Sequence, residues 1–374
     1  MKNSFKTLEQ QLVLELTRFL DYDSELLELL LSKPLDMPWV LGQLCWHRVA
    51  GIAYYILRES NLLYKTNRDF RSSLQSIYES GCRKNSASMQ ALSYLGQLFT
   101  GVDFAYAVLK GPFLSAAVYP EGLRTSNDFD FLVSTSNVSA CEKLMKRAGF
   151  IQGYYQPGKE IVPASRQQIV ESRLTRGETV PLLKKSDISG LDVIEIDLNF
   201  SLDFKAGEES QISEMLKNVV LFSPQTSCQL CTLSPVDFVI HLCTHLYKEA
   251  SVYFWVERNR DLSIYKFCDI YALLFKWGEK SFFRTFADRI QQFGVQKECC
   301  YALAGTLACY PSLSNVDGFQ DLLKEITPPD ISFMKEVIQP KTGEVYSYEY
   351  SFLDWLFLSK RCSKLSLKIK GGSL

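Results

Sequence analysis

The chain has 374 residues, of which 47% are hydrophobic and 13% aromatic, a composition that excludes a disordered protein and allows one or two sizeable cores. Charged residues make up 22% and nearly cancel, leaving a formal net charge of −1. A nearly neutral chain has no global field to draw in nucleic acid, although a local basic groove stays open.

The first twenty residues do not read as an export signal, because Glu9, Glu15 and Arg18 interrupt their apolar positions. No stretch reaches the roughly 18 consecutive apolar residues needed to span a bilayer. The 11 cysteines are an odd number and, without an export signal, are expected to be reduced thiols. We therefore expect a cytoplasmic protein with no membrane partner.

Residues 1–98 are predicted to form a helical region. Apolar residues recur at helical spacing from Leu8 to Leu20, and again between Ser72 and Phe99. Between these runs, Asp23 or Ser24 is suited to cap a helix that ends before Pro34, and Pro38 opens another.

Residues 99–204 change character and predict a small α/β core. Short apolar or alternating segments indicate strands, and two amphipathic segments indicate helices. The predicted strands are 102–109, 128–133, 150–155, 179–184 and 193–200, and the predicted helices are 113–119 and 136–148. The polar segment 156–178 gives no prediction.

Residues 205–374 are expected to return to helices, with helical patterns from Pro235, over 262–277 and over 280–293, and a frayed basic tail after Cys362. The predicted fold class is thus α+β, with a small mixed β-sheet core flanked by N-terminal and C-terminal helical regions.

The sharpest chemical feature is Asp128-Phe129-Asp130. In a strand, residues two apart point to the same face, so the two carboxylates lie side by side and repel each other. The apolar flanks predict a buried strand, which favours a cation between them over solvation. Taken alone, however, Asp-x-Asp is a common tripeptide of loops and helix caps.

Basic and small residues near this pair suggest a phosphate site. Lys110-Gly111 follows a predicted buried strand and enters a predicted helix, where backbone N–H groups suit a phosphate. Arg124 and Ser126 lie just before the carboxylates, and Arg suits bidentate phosphate contact. The alternatives are a plain strand-to-helix turn and an ordinary surface loop.

A later strand supplies a further carboxylate. In Val193–Phe200 the apolar residues share one face, whereas Glu195, Asp197 and Asn199 share the other. A half-exposed strand with a polar outer face explains the same pattern, and the pattern does not choose between Glu195 and Asp197.

Together these residues resemble the DNA polymerase β-like nucleotidyltransferase superfamily, and within it an uncharacterised bacterial branch of stand-alone nucleotidyltransferases. The matching motifs are Leu109-Lys110-Gly111, Tyr119, Gly122-Leu123-Arg124, Asp128-Phe129-Asp130-Phe131-Leu132-Val133 and Asp197-Leu198-Asn199-Phe200. The sequence departs from the superfamily pattern at two places. Most members have Gly-Ser where this chain has Lys110-Gly111, although the bacterial branch shares the Lys-Gly form. Asn199 replaces the usual His after the third aspartate.

The resemblance implies catalytic, metal-binding carboxylates at Asp128, Asp130 and Asp197, and it selects Asp197 over Glu195. It implies Mg²⁺ or Mn²⁺ as the metal, and a nucleoside triphosphate such as ATP as substrate, held by Lys110, Gly111, Arg124 and Ser126. A nucleoside monophosphate would pass to a hydroxyl of a small-molecule or peptide acceptor, with release of pyrophosphate.

Two alternative functions stay open: a toxin-like transferase acting on tRNA or protein, and a non-catalytic nucleotide-binding module. The role of His241, His245 and Asp269 is also open, since a His pair four residues apart is more often packed in a core than catalytic. Cys228 and Cys231 form a lone CxxC, which alone does not define a zinc site.

Overall fold

The structure is a computed structural model, and it describes residues 7–156, 158, 160–202, 209–225 and 228–369. The chain divides into two compact units, one formed by Met1–Tyr78 with Val239–Leu374 and the other by Glu79–Phe238. We describe them separately as the helical unit and the sheet unit. The predicted regions 1–98, 99–204 and 205–374 stay a prediction.

The α-helices in chain order are α1 (Leu8–Glu15), α2 (Ser24–Leu31), α3 (Met37–Trp46), α4 (Ala50–Glu59), α5 (Arg68–Phe99), α6 (Lys110–Ala117), α7 (Val138–Arg147), α8 (Arg166–Thr175), α9 (Glu209–Leu216), α10 (Pro235–Ser251), α11 (Tyr253–Glu257), α12 (Ile264–Trp277), α13 (Lys280–Phe293), α14 (Gln296–Cys309), α15 (Phe319–Ile326) and α16 (Phe352–Phe357).

The strands are β1 (Tyr106–Val108), β2 (Phe129–Val133), β3 (Ile151–Tyr154), β4 (Val162–Pro163), β5 (Leu182–Lys185), β6 (Val193–Asn199), β7 (Val220–Gln225), β8 (Cys228–Thr232), β9 (Glu336–Gln339), β10 (Glu344–Ser347) and β11 (Ser366–Ile369). The first eight form one mixed sheet of order β4-β3-β5-β6-β2-β1-β8-β7, and the last three form a second sheet of order β11-β10-β9.

The centre of the eight-stranded sheet is its most buried part. Every residue of β2 is buried, and β2 runs parallel to β6 and antiparallel to β1. On one face the ring of Phe131 stacks on Phe99 with centroids 4.7 Å apart. Because side chains alternate along a strand, Asp130 points to the opposite face.

The α+β class is confirmed, but the expectation of a small sheet is wrong, because strands β7 and β8 extend it beyond β1. The short β7 and β8 lie after residue 205, where the sequence predicted only helices. The unassigned segment 156–178 contains β4 and α8, and α8 begins with a capping box between Ser165 and Gln168.

Two further expectations need correction. The strand predicted over 102–109 is confined to β1, because Val102–Ala105 carries exposed and half-exposed residues that do not enter the sheet. The tail predicted to fray pairs as β11 against β10 as far as Ile369, and residues 370–374 lie outside the described part.

The helical unit joins the beginning and the end of the chain in one core. Thr17 Oγ1 and Tyr310 Oη are 2.9 Å apart and buried, and the backbone N–H of Ile264 donates to His47 Nδ1 at 3.3 Å. Arg361 is fully buried, where its Nη2 contacts Asp261 Oδ1 at 2.6 Å. Among the described helices, none has the length and apolar character required to span a membrane.

Candidate active site

The register of two central strands brings the predicted carboxylates together. In the parallel β2–β6 pair, Asp130 lies directly beside Asp197. Residues at the same level of neighbouring strands point to the same face. Asp128 is the residue directly before β2. Because it lies two residues from Asp130, it belongs to the same side of the sheet. Asp130 is only 4% exposed and Asp197 is half-buried, so the Asp130 carboxylate lies at the floor of the site.

Lys110 is held against Asp130. Its Nζ lies 2.9 Å from Asp130 Oδ1, and Asn199 Nδ2 donates to the same oxygen at 3.1 Å. The backbone N–H of Leu109 donates to the Asp130 carbonyl at 2.9 Å, which fixes the start of α6 beside β2. Lys110 itself has φ of 48°, a left-handed conformation that costs energy for a residue with a side chain.

The loop before β2 packs on the first turn of α6. A Cβ added to Gly111 would lie 2.6 Å from Ser126 Cβ and 2.7 Å from Ser126 Oγ, so only glycine fits there. Ser126 Oγ donates to Asp128 Oδ1 at 2.7 Å, and Arg124 Nη1 donates to the Thr125 carbonyl at 2.6 Å. All seven residues predicted for the site therefore cluster around the N-terminal end of β2.

Two glutamates that the predicted set left out add to the negative charge. Burial and then the charges of Asp130, Asp128, Glu178 and Glu195 raise the pKa of Asp197 well above its ordinary value. Burial, with Asp128 and Asp130, also raises the pKa of Glu195. The polar face of β6 already pointed to Glu195, whereas Glu178 lay beside the unassigned segment and reaches the site through a bridge to Asn199.

The type of ligand atom suits a hard divalent cation, since carboxylates supply oxygen and Mg²⁺ prefers oxygen ligands. Burial, and then the charges of the neighbouring carboxylates, raise the pKa of Asp197, and a bound cation would oppose both effects. Within the described ranges, however, no group of three or more His, Cys, Asp or Glu side chains is arranged to hold one metal ion. The ammonium of Lys110 contacts Asp130 in this arrangement.

A comparison with protein families decides the family. The model described as "Uncharacterised nucleotidyltransferase" matches residues 33–310, well over half of the chain. The chain belongs to this nucleotidyltransferase family. The match includes every residue of the carboxylate cluster and of the Lys110–Gly111 turn.

Among solved structures, the chain is similar to the crystal structure of an antigenic nucleotidyltransferase-like protein from Paracoccidioides brasiliensis. The identity is 14%, the TM-score is 0.39, and the alignment covers 64% of this chain and 93% of that chain. A search of curated proteins found no match.

The two histidines lie on α10 in the helical unit. Their rings stack with centroids 6.3 Å apart, and His245 Nδ1 lies 3.3 Å from Glu249 Oε2. Burial alone would raise the pKa of Glu249, but the charges of Lys266 and His245 lower that pKa overall. Asp269 is buried on α12. These contacts describe a charged cluster of the helical unit.

Cys228 and Cys231 lie on β8 in the sheet unit. Residues three apart in a strand point to opposite faces, which is unsuited to joint chelation. The thiol of Cys228 packs so closely on α5 that a Cβ added to Gly96 would lie 1.9 Å from its Sγ. Burial raises the pKa of Cys231, which disfavours the thiolate that zinc requires.

Proposed function

We propose that this nucleotidyltransferase family member is a metal-dependent enzyme of the DNA polymerase β-like type. It would transfer a nucleoside monophosphate from a nucleoside triphosphate to an acceptor hydroxyl. The observation that carries the proposal is the in-register pairing of Asp130 with Asp197. Asp128 lies beside this pair, and Lys110 of the Lys110–Gly111 turn contacts Asp130.

In this proposal Asp128, Asp130 and Asp197 hold Mg²⁺ or Mn²⁺. The bound metal would supply charge neutralisation for the triphosphate and the leaving pyrophosphate. Ser126 orients Asp128 through its 2.7 Å hydrogen bond, and Asn199 orients Asp130. Asp197 accepts the proton of the acceptor hydroxyl as the hydroxyl oxygen attacks the α-phosphorus and pyrophosphate leaves.

The triphosphate is assigned to the start of α6 and the loop before β2, next to the carboxylates. Lys110 supplies an ammonium, the α6 amides near Gly111 supply N–H donors, and Arg124 supplies a guanidinium. Ser126 completes the set, and its hydroxyl would contact phosphate in exchange for its hydrogen bond to Asp128. Binding of a phosphate chain at a helix start with a neighbouring ammonium stabilises charge that develops on the leaving group.

The charge of the site favours a small-molecule or peptide acceptor. Glu195 adds a carboxylate beside the three proposed metal ligands, and Glu178, which is paired with Arg176, also acts on Asp197. Excess negative charge opposes the approach of a polyanion such as tRNA, whose binding normally depends on Lys and Arg clusters.

The decisive experiment follows pyrophosphate release from each of the four common nucleoside triphosphates with Mg²⁺ and panels of hydroxyl-bearing acceptors. We expect Asp130→Asn to reduce the rate by about a hundredfold or more, because it removes charge from the centre of the site. Asp192→Asn is the matched control, since Asp192 is an exposed acid on the connection that leads into β6.

Equal activity of Asp130→Asn and wild type would contradict the proposal. Nucleotide binding that survives Asp130→Asn and metal removal, without turnover of any triphosphate, would support the non-catalytic nucleotide-binding module instead.

A further inference from the structure

The contact between Lys110 and Asp130 has a second implication, which concerns how the site is loaded. Lys110 Nζ and Asn199 Nδ2 both contact Asp130 Oδ1, at 2.9 Å and 3.1 Å. An oxygen that accepts two such donors is poorly available to a metal ion. The same ammonium is also the group assigned to the triphosphate, and one ammonium cannot serve both places at once.

We propose that Lys110 is an internal counter-ion that a divalent metal displaces from Asp130, and that the displaced ammonium then binds the triphosphate. The inference rests on the proposed function and adds to it an order of events. Metal and nucleotide would bind cooperatively. The metal releases the Lys110 ammonium for the triphosphate, and the triphosphate neutralises the ammonium that the metal has displaced.

The electrostatics of the site support this exchange. Asp130 is almost fully buried and has Asp197 beside it, so leaving it without a cation is costly. Lys110 supplies that cation in the absence of metal. Once a divalent ion is bound, the ammonium would face two positive charges at short range and is repelled towards an anionic ligand.

The backbone at Lys110 is consistent with a residue held in place by its contact. Its φ of 48° lies in the left-handed region, a conformation that is unfavourable for lysine and that surrounding interactions offset. Release of the ammonium removes one of those interactions, so the first turn of α6 is free to adjust as the phosphate chain arrives.

The first test measures Mn²⁺ affinity by electron paramagnetic resonance without nucleotide. We expect Lys110→Met to bind Mn²⁺ at least about tenfold more tightly than wild type, since a competing unit charge is removed at short range. The same variant should bind a non-hydrolysable triphosphate more weakly in the presence of Mn²⁺. Unchanged or weaker Mn²⁺ binding by Lys110→Met would overturn the inference.

Lys184→Met is the matched control. Lys184 is a partly buried lysine of the same sheet, where its Nζ contacts Tyr94 Oη at 2.7 Å. It pairs with Ile194 on β5–β6, which places it on the face opposite the carboxylates. We expect its Mn²⁺ affinity to equal that of wild type.

A second test needs no substitution and therefore does not depend on the folding of a variant. Amine acylation of wild-type protein, followed by peptide mass spectrometry, should show Lys110 becoming more reactive when Mg²⁺ is added. It should become protected again when the triphosphate analogue follows, whereas Lys184 should stay constant. A Lys110 reactivity that Mg²⁺ leaves unchanged would contradict displacement.

The two proposals fail in distinguishable ways. If wild-type protein releases pyrophosphate but Lys110→Met gains no Mn²⁺ affinity, only the exchange of Lys110 is wrong. If wild-type protein neither binds Mn²⁺ nor turns over any triphosphate, the proposed function fails, and this inference with it.

Discussion

At the scale of single residues, the site depends on the absence of one side chain. Gly111 lets the loop containing Ser126 pack directly on the first turn of α6, where even one added carbon would overlap Ser126. The sequence suggested that Gly111 admits a phosphate. The structure shows that it also admits Ser126, whose hydroxyl in turn holds Asp128.

We expect Gly111→Ala to lower the free energy of unfolding by about 1–3 kcal/mol, because overpacking forces the Ser126 loop away. Urea denaturation and pyrophosphate release measure the two consequences. Gly42→Ala is the control, since a Cβ there meets no atom within 4 Å. Removing the obstructing side chain in Gly111→Ala/Ser126→Gly should restore most of the lost stability, and failure to do so would exclude this steric account.

At the scale of elements, parallel pairing of β2 with β6 creates the chemistry. Each strand alone has a polar face that solvent can satisfy. Register places Asp130 beside Asp197, with Glu195 and Glu178 near enough to act on the Asp197 carboxyl. The strand pair therefore gathers acidic groups whose burial and mutual repulsion raise the pKa of Asp197.

This pairing predicts a pH-dependent stability. Because the pKa of Asp197 is raised on folding, the folded chain keeps a proton that the unfolded chain releases. Its contribution is greatest at low pH and is lost as the pH rises towards the raised pKa. In metal-free urea denaturation between about pH 4 and pH 8, Asp197→Asn should gain stability relative to wild type as the pH rises. Asp192→Asn should keep the wild-type slope, and parallel profiles for all three proteins would contradict the prediction.

How much of this was readable from the sequence depended on the range of the interactions. The alternation around Asp128–Val133 and Val193–Phe200 is local, and it predicted β2 and β6 within one residue at either end. The register of those strands is set by tertiary packing, which no local pattern reports. The contact of Lys110 with Asp130 was equally hidden, since a lysine before a helix has the same sequence signature whether it binds phosphate or a neighbouring acid.

Polar elements were harder to predict than apolar ones. Helix α8 has a weak apolar stripe, and its start depends on the Ser165 capping box more than on periodicity. Its position is fixed by an ion pair between Arg173 and the buried Glu142, which Gln152 Nε2 also contacts at 3.1 Å. Such long-range contacts leave no periodic signal, so Glu178, which follows α8, was not assigned to the site.

At the scale of the whole molecule, the helical unit is built from two separate stretches of the chain. Buried polar contacts connect them, among them those between Thr17 and Tyr310 and between His47 and the backbone of Ile264. Burial and the Arg361 charge lower the pKa of His47 to about 3, so this residue is a neutral core acceptor. Arg361 also contacts the carbonyls of Leu356 and Leu358, which fixes the segment after α16.

We expect Arg361→Ala to lower the free energy of unfolding by about 3–5 kcal/mol, because it leaves the Asp261 carboxylate buried without its partner. Urea denaturation followed by far-ultraviolet circular dichroism measures this loss. The neighbouring Lys360 is exposed, so Lys360→Ala should change stability by less than about 0.5 kcal/mol. Similar losses for both variants would show that the buried pair contributes little.

The division of the helical unit also sets an order of events during protein synthesis. The sheet unit is one continuous stretch, Glu79–Phe238, so the ribosome delivers all of it before any residue from Val239 onward. At typical translation speeds of about 5–20 residues per second, synthesis of the sheet unit alone delays the first residue of the later stretch by roughly ten to thirty seconds. During that interval the surfaces that the later stretch covers in the finished protein, such as those of Thr17 and His47, are available to chaperones.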